Sequence, residues 1–212
     1  MRRILISLMT IALVLGVIGG GVYAYFSDTE TSAGNSFTAG TLDLTVDGAN
    51  PWASTKITVA NMKPGDSGAV DCTLSNSGNL AGALTVDIKT LVDAQGTCTE
   101  PECVAEGGTY NGGSCTGNTA VNLSSKMDMV VWVDNGAGGG TANNGVMDGT
   151  EQQLFSGTLA AADAAATWSV TGGLGAGSTT YIGISYSIAS SVRNEIQGDS
   201  STFTIEFNLN QQ

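Results

Sequence analysis

The chain has 212 residues, with 7 Lys+Arg against 19 Asp+Glu, no histidine and a formal net charge of −12. That balance excludes nucleic acid and anionic lipid as partners, because phosphate would repel it. The missing histidine removes H-E-x-x-H metal sites and every Ser-His or Cys-His couple, and no two Asp stand in the matching local contexts that an acid pair would need, so the composition reads as that of a non-enzyme.

Met1-Arg2-Arg3 precedes Ile4 to Val22, a run with no charge and only Ser7 and Thr10 as polar side chains. That is the pattern of an export signal. Val22 and Ala24 are short apolar residues three and one positions before a cut between Ala24 and Tyr25, which predicts a signal peptide over 1–24 and a signal peptidase as a processing partner. The same run is long enough to cross a bilayer as an uncleaved anchor. Membrane contact is expected through this leader alone, before cleavage, and the rest of the chain is expected to be secreted. The chain beyond Ala24 suffices for one well-buried core and is small for two.

Residues 25–40 do not behave like strands. Tyr25, Phe26 and Phe37 are separated by polar sequence, and Gly34 and Gly40 interrupt any alternating face. The stretch has extended propensity in Thr29, Thr31 and Thr38 but too little apolar surface to secure itself. It reads as an exposed, extended arm.

From residue 41 to 212 the pattern is alternation, the mark of half-buried strands. Leu42, Leu44 and Val46 interleave with Thr41, Asp43 and Thr45, as do Leu84, Val86 and Ile88 with Thr85 and Asp87, and Phe203, Ile205, Phe207 and Leu209 with Thr204, Glu206 and Asn208. Shorter strands are predicted over 56–60, 68–75, 127–133, 153–157, 167–171 and 179–189, and one short Ala-rich helix over 159–166. Turn clusters such as Lys63-Pro64-Gly65-Asp66 and Asn76-Ser77-Gly78-Asn79 punctuate them. Many short strands joined by Gly-rich turns predict an all-β, two-sheet sandwich.

Cys72, Cys98, Cys103 and Cys115 make an even number in an exported chain, which predicts two disulfides with three pairings open. A four-thiolate zinc site is the rival, and the spacing lacks its paired C-x-x-C knuckles. Asn122-Leu123-Ser124 is an N-glycosylation sequon at Asn122. Trp52, Trp132 and Trp168 are expected in core packing.

The order Tyr25-Phe26-Ser27-Asp28-Thr29-Glu30, then Asn35-Ser36-Phe37-Thr38-Ala39-Gly40-Thr41-Leu42-Asp43-Leu44, resembles the start of mature proteins in the TasA/camelysin family, whose leaders are removed by a SipW-type peptidase. The likeness continues through Asn61 to Ser67, Thr99-Glu100-Pro101-Glu102, Val131-Trp132-Val133-Asp134 and Leu154 to Leu159. The resemblance implies a jelly-roll-like sandwich with an extended N-terminal arm, preceded by an apolar signal helix. It implies a homopolymer, an extracellular filament of biofilm-matrix or pilus type. In it the arm, Tyr25, Phe26, Ser27, Asp28, Thr29, Glu30, Thr31 and Phe37, adds as a strand to the next copy. The alternatives are an arm folded into its own sandwich, giving a monomeric secreted protein, and a camelysin-like metallopeptidase. The segment from Asp134 to Glu151 also resembles loops that hold calcium in this family. Calcium wants six to eight oxygens, and Asp134, Asn144, Asp148, Glu151 and the carbonyl of Val146 are the expected ligands, with no acid where a third carboxylate would stand.

Overall fold

The computed structural model describes residues 2–22, 36 and 38–211. The chain divides into two units, Met1–Ala39 and Gly40–Gln212. In the first, α1 (Arg2–Val22) is a helix of Ile, Leu, Met and Ala without proline. Its two hydroxyl groups bond back within the helix, Ser7 Oγ to the Arg3 carbonyl at 2.7 Å and Thr10 Oγ1 to the Ile6 carbonyl at 3.1 Å. This leaves an almost wholly apolar surface, and its large side chains from Ile4 to Leu15 are exposed. No helix among the described residues is long and apolar enough to cross a membrane.

The second unit is an antiparallel β-sandwich of jelly-roll-like connection. Its larger sheet contains β1 (Leu44–Val46), β2 (Ser67–Asn76), β6 (Met127–Val133), β7 (Gln153–Thr158) and β9 (Thr179–Ile188), in the order β1-β2-β9-β6-β7. The smaller contains β3 (Gly82–Ala94), β8 (Trp168–Ser169) and β10 (Ser200–Gln211), in the order β10-β3-β8. The chain crosses between sheets at β2–β3, between β3 and β6, and at β7–β8, β8–β9 and β9–β10. Each strand with period-two patterning places its apolar set inward. Cys72 and Leu74 on β2, Met129 and Val131 on β6, and Ile182 and Ile184 on β9 meet Leu84, Val86 and Ile88 on β3. Each fully buried aliphatic side chain contributes about 1.5–3 kcal/mol. The helix α3 (Leu159–Ala164) closes one end with Leu159 and Ala162, and Thr158 caps it by accepting from the Ala161 amide at 3.2 Å.

One predicted strand does not form. Residues 56–60 run outside the sheets: Ile57 packs against the core, Val59 is exposed, and among the described residues no strand lies alongside to satisfy a ladder. Two features beyond the predicted strands lie in the cysteine-rich insertion. These are α2 (Glu100–Ala105) and a hairpin of β4 (Thr109–Asn111) and β5 (Ser114–Thr116). A disulfide between Cys103 and Cys115 ties the hairpin to the helix. The expectation of two disulfides is thereby corrected, because Cys72 and Cys98 are free thiols. Cys72 points inward from β2 and is fully buried, where it acts as a small apolar side chain. Burial pushes its thiol up to about 12.

Candidate functional site

Among the described residues the sandwich is open along one side. β1 pairs only with β2, and β10 only with β3, so each is the outer strand of its sheet among the described residues. The two edges face one another across a cavity of about 320 Å³ whose apolar lining includes Leu44, Val46, Trp52, Ile205 and Phe207. β10 explains the gap. Its apolar face, Phe203, Ile205, Phe207 and Leu209, is only half-buried, unlike the fully buried Leu84, Val86 and Ile88 on β3 beside it. Trp52 follows the cis Asn50–Pro51 bond and stacks at a tilt on Phe207, with ring centroids 5.7 Å apart, and its buried indole Nε1 has no hydrogen-bond partner among the described residues.

The β1 side of this seam is firmly built. Asp47 accepts from the Thr73 amide at 2.9 Å and pairs with Lys56 at 2.9 Å, which pins the end of β1 to β2. Buried Asn76 donates to the carbonyls of Leu80, Leu174 and Gly175 and accepts from the amides of Gly78 and Asp43. The chain therefore enters the sandwich beside the Asn76–Leu80 turn. The arm residues Tyr25 to Thr31 and Phe37, and the cleavage pair Ala24 and Tyr25, lie outside the described residues.

The acidic loop after β6 is organised by its own carboxylates. Asp134, fully buried, accepts from the amides of Asn143, Asn144 and Gly145, each at 2.9 Å. Glu151, also buried, accepts from the amides of Gly136 at 2.8 Å and Asp148 at 3.1 Å. Asn144 Oδ1 accepts from the Val146 amide at 2.8 Å, and Asp148 accepts from Thr141 and Asn144. Four of the five expected ligands therefore share one hydrogen-bonded loop through their side chains. Val146 joins it through its amide.

A residue that sequence reasoning missed completes this corner. In the sheet register, Asp71 on β2 and Trp132 on β6 both stand opposite Gly183 on β9. Asp71 thus faces Asp134 and Glu151, and its Oδ1 is buried without a partner. Burial, followed by the neighbouring Asp134 carboxylate, pushes Asp71 up to about 6. Asp71 Oδ1 is the carboxylate oxygen left over in this corner, since those of Asp134, Asp148 and Glu151 already accept from amides, and among the described residues these carboxylates do not gather as a cluster of metal-ligating atoms. The period-two pattern of β2 placed Asp71 outward, and only the register brings it to the loop.

At the sequon, Asn122 is exposed and its Oδ1 accepts from Gln95 Nε2 at 2.9 Å, whereas Ser124 is buried with its hydroxyl bonded to Asp93 at 2.6 Å. Trp132 is buried, while Trp52 and Trp168 are half-buried; Trp168 stacks on Phe155 with ring centroids 4.8 Å apart.

Two comparisons bear on this geometry. The model of a family described as camelysin metallo-endopeptidase matches residues 1–103, which holds α1, β1, β2, β3 and the β1 side of the seam. The chain is also 34% identical over 80 residues to a protein of Bacillus subtilis (strain 168) named as a major biofilm matrix component. That match spans 38% of this chain and 29% of the relative, so the chain covers under a third of that protein's length.

Proposed function

From a chain that resembles the TasA/camelysin family over its amino-terminal half, we propose a structural subunit of an extracellular filament, in which the arm Tyr25–Phe37 of one copy adds as a strand at the seam between β1 and β10 of the next. The observation that carries this reading is the pair of edges, β1 and β10, outermost among the described residues, over a cavity where Leu44, Val46, Trp52, Ile205 and Phe207 are joined by Asn50 and Glu206. Unpaired edges of this kind template the addition of another strand. The lengths agree: β10 has 12 residues, and the arm from Tyr25 to Phe37 is about as long, so both extend to about 40 Å at ~3.3 Å per residue. The arm brings Tyr25, Phe26 and Phe37 to a cavity lined by Trp52 and Phe207. Each aromatic buried there would contribute about 1.5–3 kcal/mol, beyond main-chain hydrogen bonds of about 1 kcal/mol each. Arm and seam are different surfaces, so the contact is head-to-tail and does not close.

The similarity to a biofilm matrix component supports a matrix role and an extracellular place. The family described as a metallo-endopeptidase supports a competing enzymatic reading, to which a chain without histidine offers no imidazole ligand. Within the filament reading, calcium bridges Asp71 and Asp134 and stiffens the 134–151 loop. Electron microscopy of the purified protein beginning at Tyr25 tests the main proposal. Filaments that disappear when residues 25–37 are deleted support it, and filaments unchanged by that deletion refute it. Casein hydrolysis that stops on chelation would instead favour the peptidase.

A further inference from the structure

The sulfur atoms of Cys98, Cys103 and Cys115 lie within 4.8 Å of one another. Cys103 and Cys115 are bonded and Cys98 is a thiol. The local sequence explains why the third sulfur is held there. Thr99 is the N-cap of α2 and forms a capping box with Glu102: the Thr99 hydroxyl accepts from the Glu102 amide, and the Glu102 carboxylate accepts from the Thr99 amide at 3.1 Å. Cys98 therefore stands one residue before the cap and Cys103 four residues into the helix. Those are the two positions that side chains bridge in a hydrophobic staple. Thr99 Oγ1 also donates to Gln197 Oε1 at 3.1 Å, which fastens the cap to the body of the sandwich. On the disulfide's other flank a Cβ at Gly108 would meet the Cys115 and Cys103 sulfurs at 2.7 and 3.0 Å, so only glycine fits there.

We propose that these three residues form a thiol–disulfide exchange centre in which Cys98 displaces Cys115 from Cys103, making Cys115 a latent modification site on the hairpin. Cys98 gives its proton to water and its thiolate attacks Cys103 Sγ. The Cys98–Cys103 bond forms as the Cys103–Cys115 bond breaks, and Cys115 leaves as a thiolate that takes up a proton. One disulfide and one thiol stand on each side of the exchange, so no oxidant or reductant is consumed. Attack at Cys103 is favoured over attack at Cys115 on two grounds. The staple positions hold Cys98 against Cys103, and the leaving sulfur is then the half-exposed Cys115, which water can solvate, and not the fully buried Cys103. The exchange unfastens β4–β5 from α2 without unfolding the sandwich.

The exchange is restrained near neutrality. Burial, then the carboxylates of Glu102 and Glu106, raises the Cys98 thiol above its ordinary value, so little thiolate is present. The packed neighbours add Glu195, paired with Lys126 at 3.2 Å, from the 194–196 turn, and Tyr110 from β4. Below the thiol's pKa, exchange accelerates about tenfold per pH unit.

Peptide mapping tests this on the full chain. The protein is held without reductant near neutral pH and at about pH 9, then blocked with a maleimide in acid. Cleavage after Glu102 and Glu106 separates the three cysteines. The expected result is a Cys98–Cys103 linkage with labelled Cys115 that grows with pH and is absent in Cys98→Ser. A Cys103–Cys115 bond with labelled Cys98 at both pH values overturns the proposal, and a Cys98–Cys115 bond overturns the assigned point of attack. Cys115→Ser gives an independent check. With oxidised glutathione it should form Cys98–Cys103, and two glutathionylated or free thiols in its place would show that the sulfurs cannot meet.

Discussion

The indole of Trp132 fills the space that a side chain at Gly183 would need, across the β6–β9 pairing in which the two residues stand opposite each other. Trp132 is buried on the outer face of the larger sheet, under the start of the acidic loop, and not in the core between sheets. Gly183→Ala is therefore expected to push the ring out of place and cost about 1–3 kcal/mol. Thermal unfolding should register a fall of several degrees. The loop beginning at Asp134 would lose order with it, visible as faster amide exchange at Asn143 to Gly145, whose amides bond to Asp134.

Asp71 makes stability depend on pH in a direction opposite to most carboxylates. Its ordinary value is 3.8 and the fold raises it to about 6, so the folded state holds this proton more tightly than the unfolded one. The stabilisation is complete below about 3.8 and is lost as pH rises through about 6. With a chelator present, the melting temperature contributed by this corner should decline over that window, and Asp71→Asn should abolish the decline. Millimolar calcium should restore the loss above the window in the wild type and not in Asp71→Asn. No calcium-dependent shift in the wild type would remove the cation from the account.

Asn76 offers a test of the β1 side of the seam. Its buried amide group joins the 77–80 turn, the 174–175 turn and the residue before β1 through five hydrogen bonds. Asn76→Ala strands several of those groups at a cost of about 1–3 kcal/mol for each one left dry. Urea unfolding should show a midpoint markedly lower than that of the wild type. A change of under about 0.5 kcal/mol would show that the network contributes little.

The strands with distinct inward and outward sets were legible: β10 falls close to where alternation put it and β2, β6 and β9 close to their predicted bounds, while β3 is centred on Leu84 to Ile88 but runs on to Ala94. The segment 56–60 has the same local pattern and forms no strand, since pairing depends on a neighbour that sequence spacing cannot supply. α2 had a readable signal in Thr99-Glu100-Pro101-Glu102, a capping box with proline in the first turn, but its length of six residues gives no periodicity to confirm it. Pairing of the cysteines was beyond the sequence for a plain reason. Cys72 occupies an inward position on β2, so one of the four was never available, and which one depends on the strand's register. Asp71 was hidden likewise, since its meeting with Asp134 spans two strand pairings.

The seam itself is the place where an assembly mutation can be separated from a folding mutation. Ile205 lines the cavity from β10 and is half-buried in a single copy, so Ile205→Lys leaves its charged end in water and should cost the isolated sandwich about 1 kcal/mol or less, with the far-UV circular dichroism unchanged. An incoming strand would cover that water, and a lysine sealed under it carries a desolvation penalty of several kcal/mol. Ile205→Lys should therefore stay monomeric by light scattering at concentrations where the wild type polymerises. A lysine at Val92, an exposed position at the far end of the β3–β10 pairing, should leave polymerisation intact. Polymerisation of Ile205→Lys at the wild-type rate would place the intersubunit contact elsewhere on the sandwich.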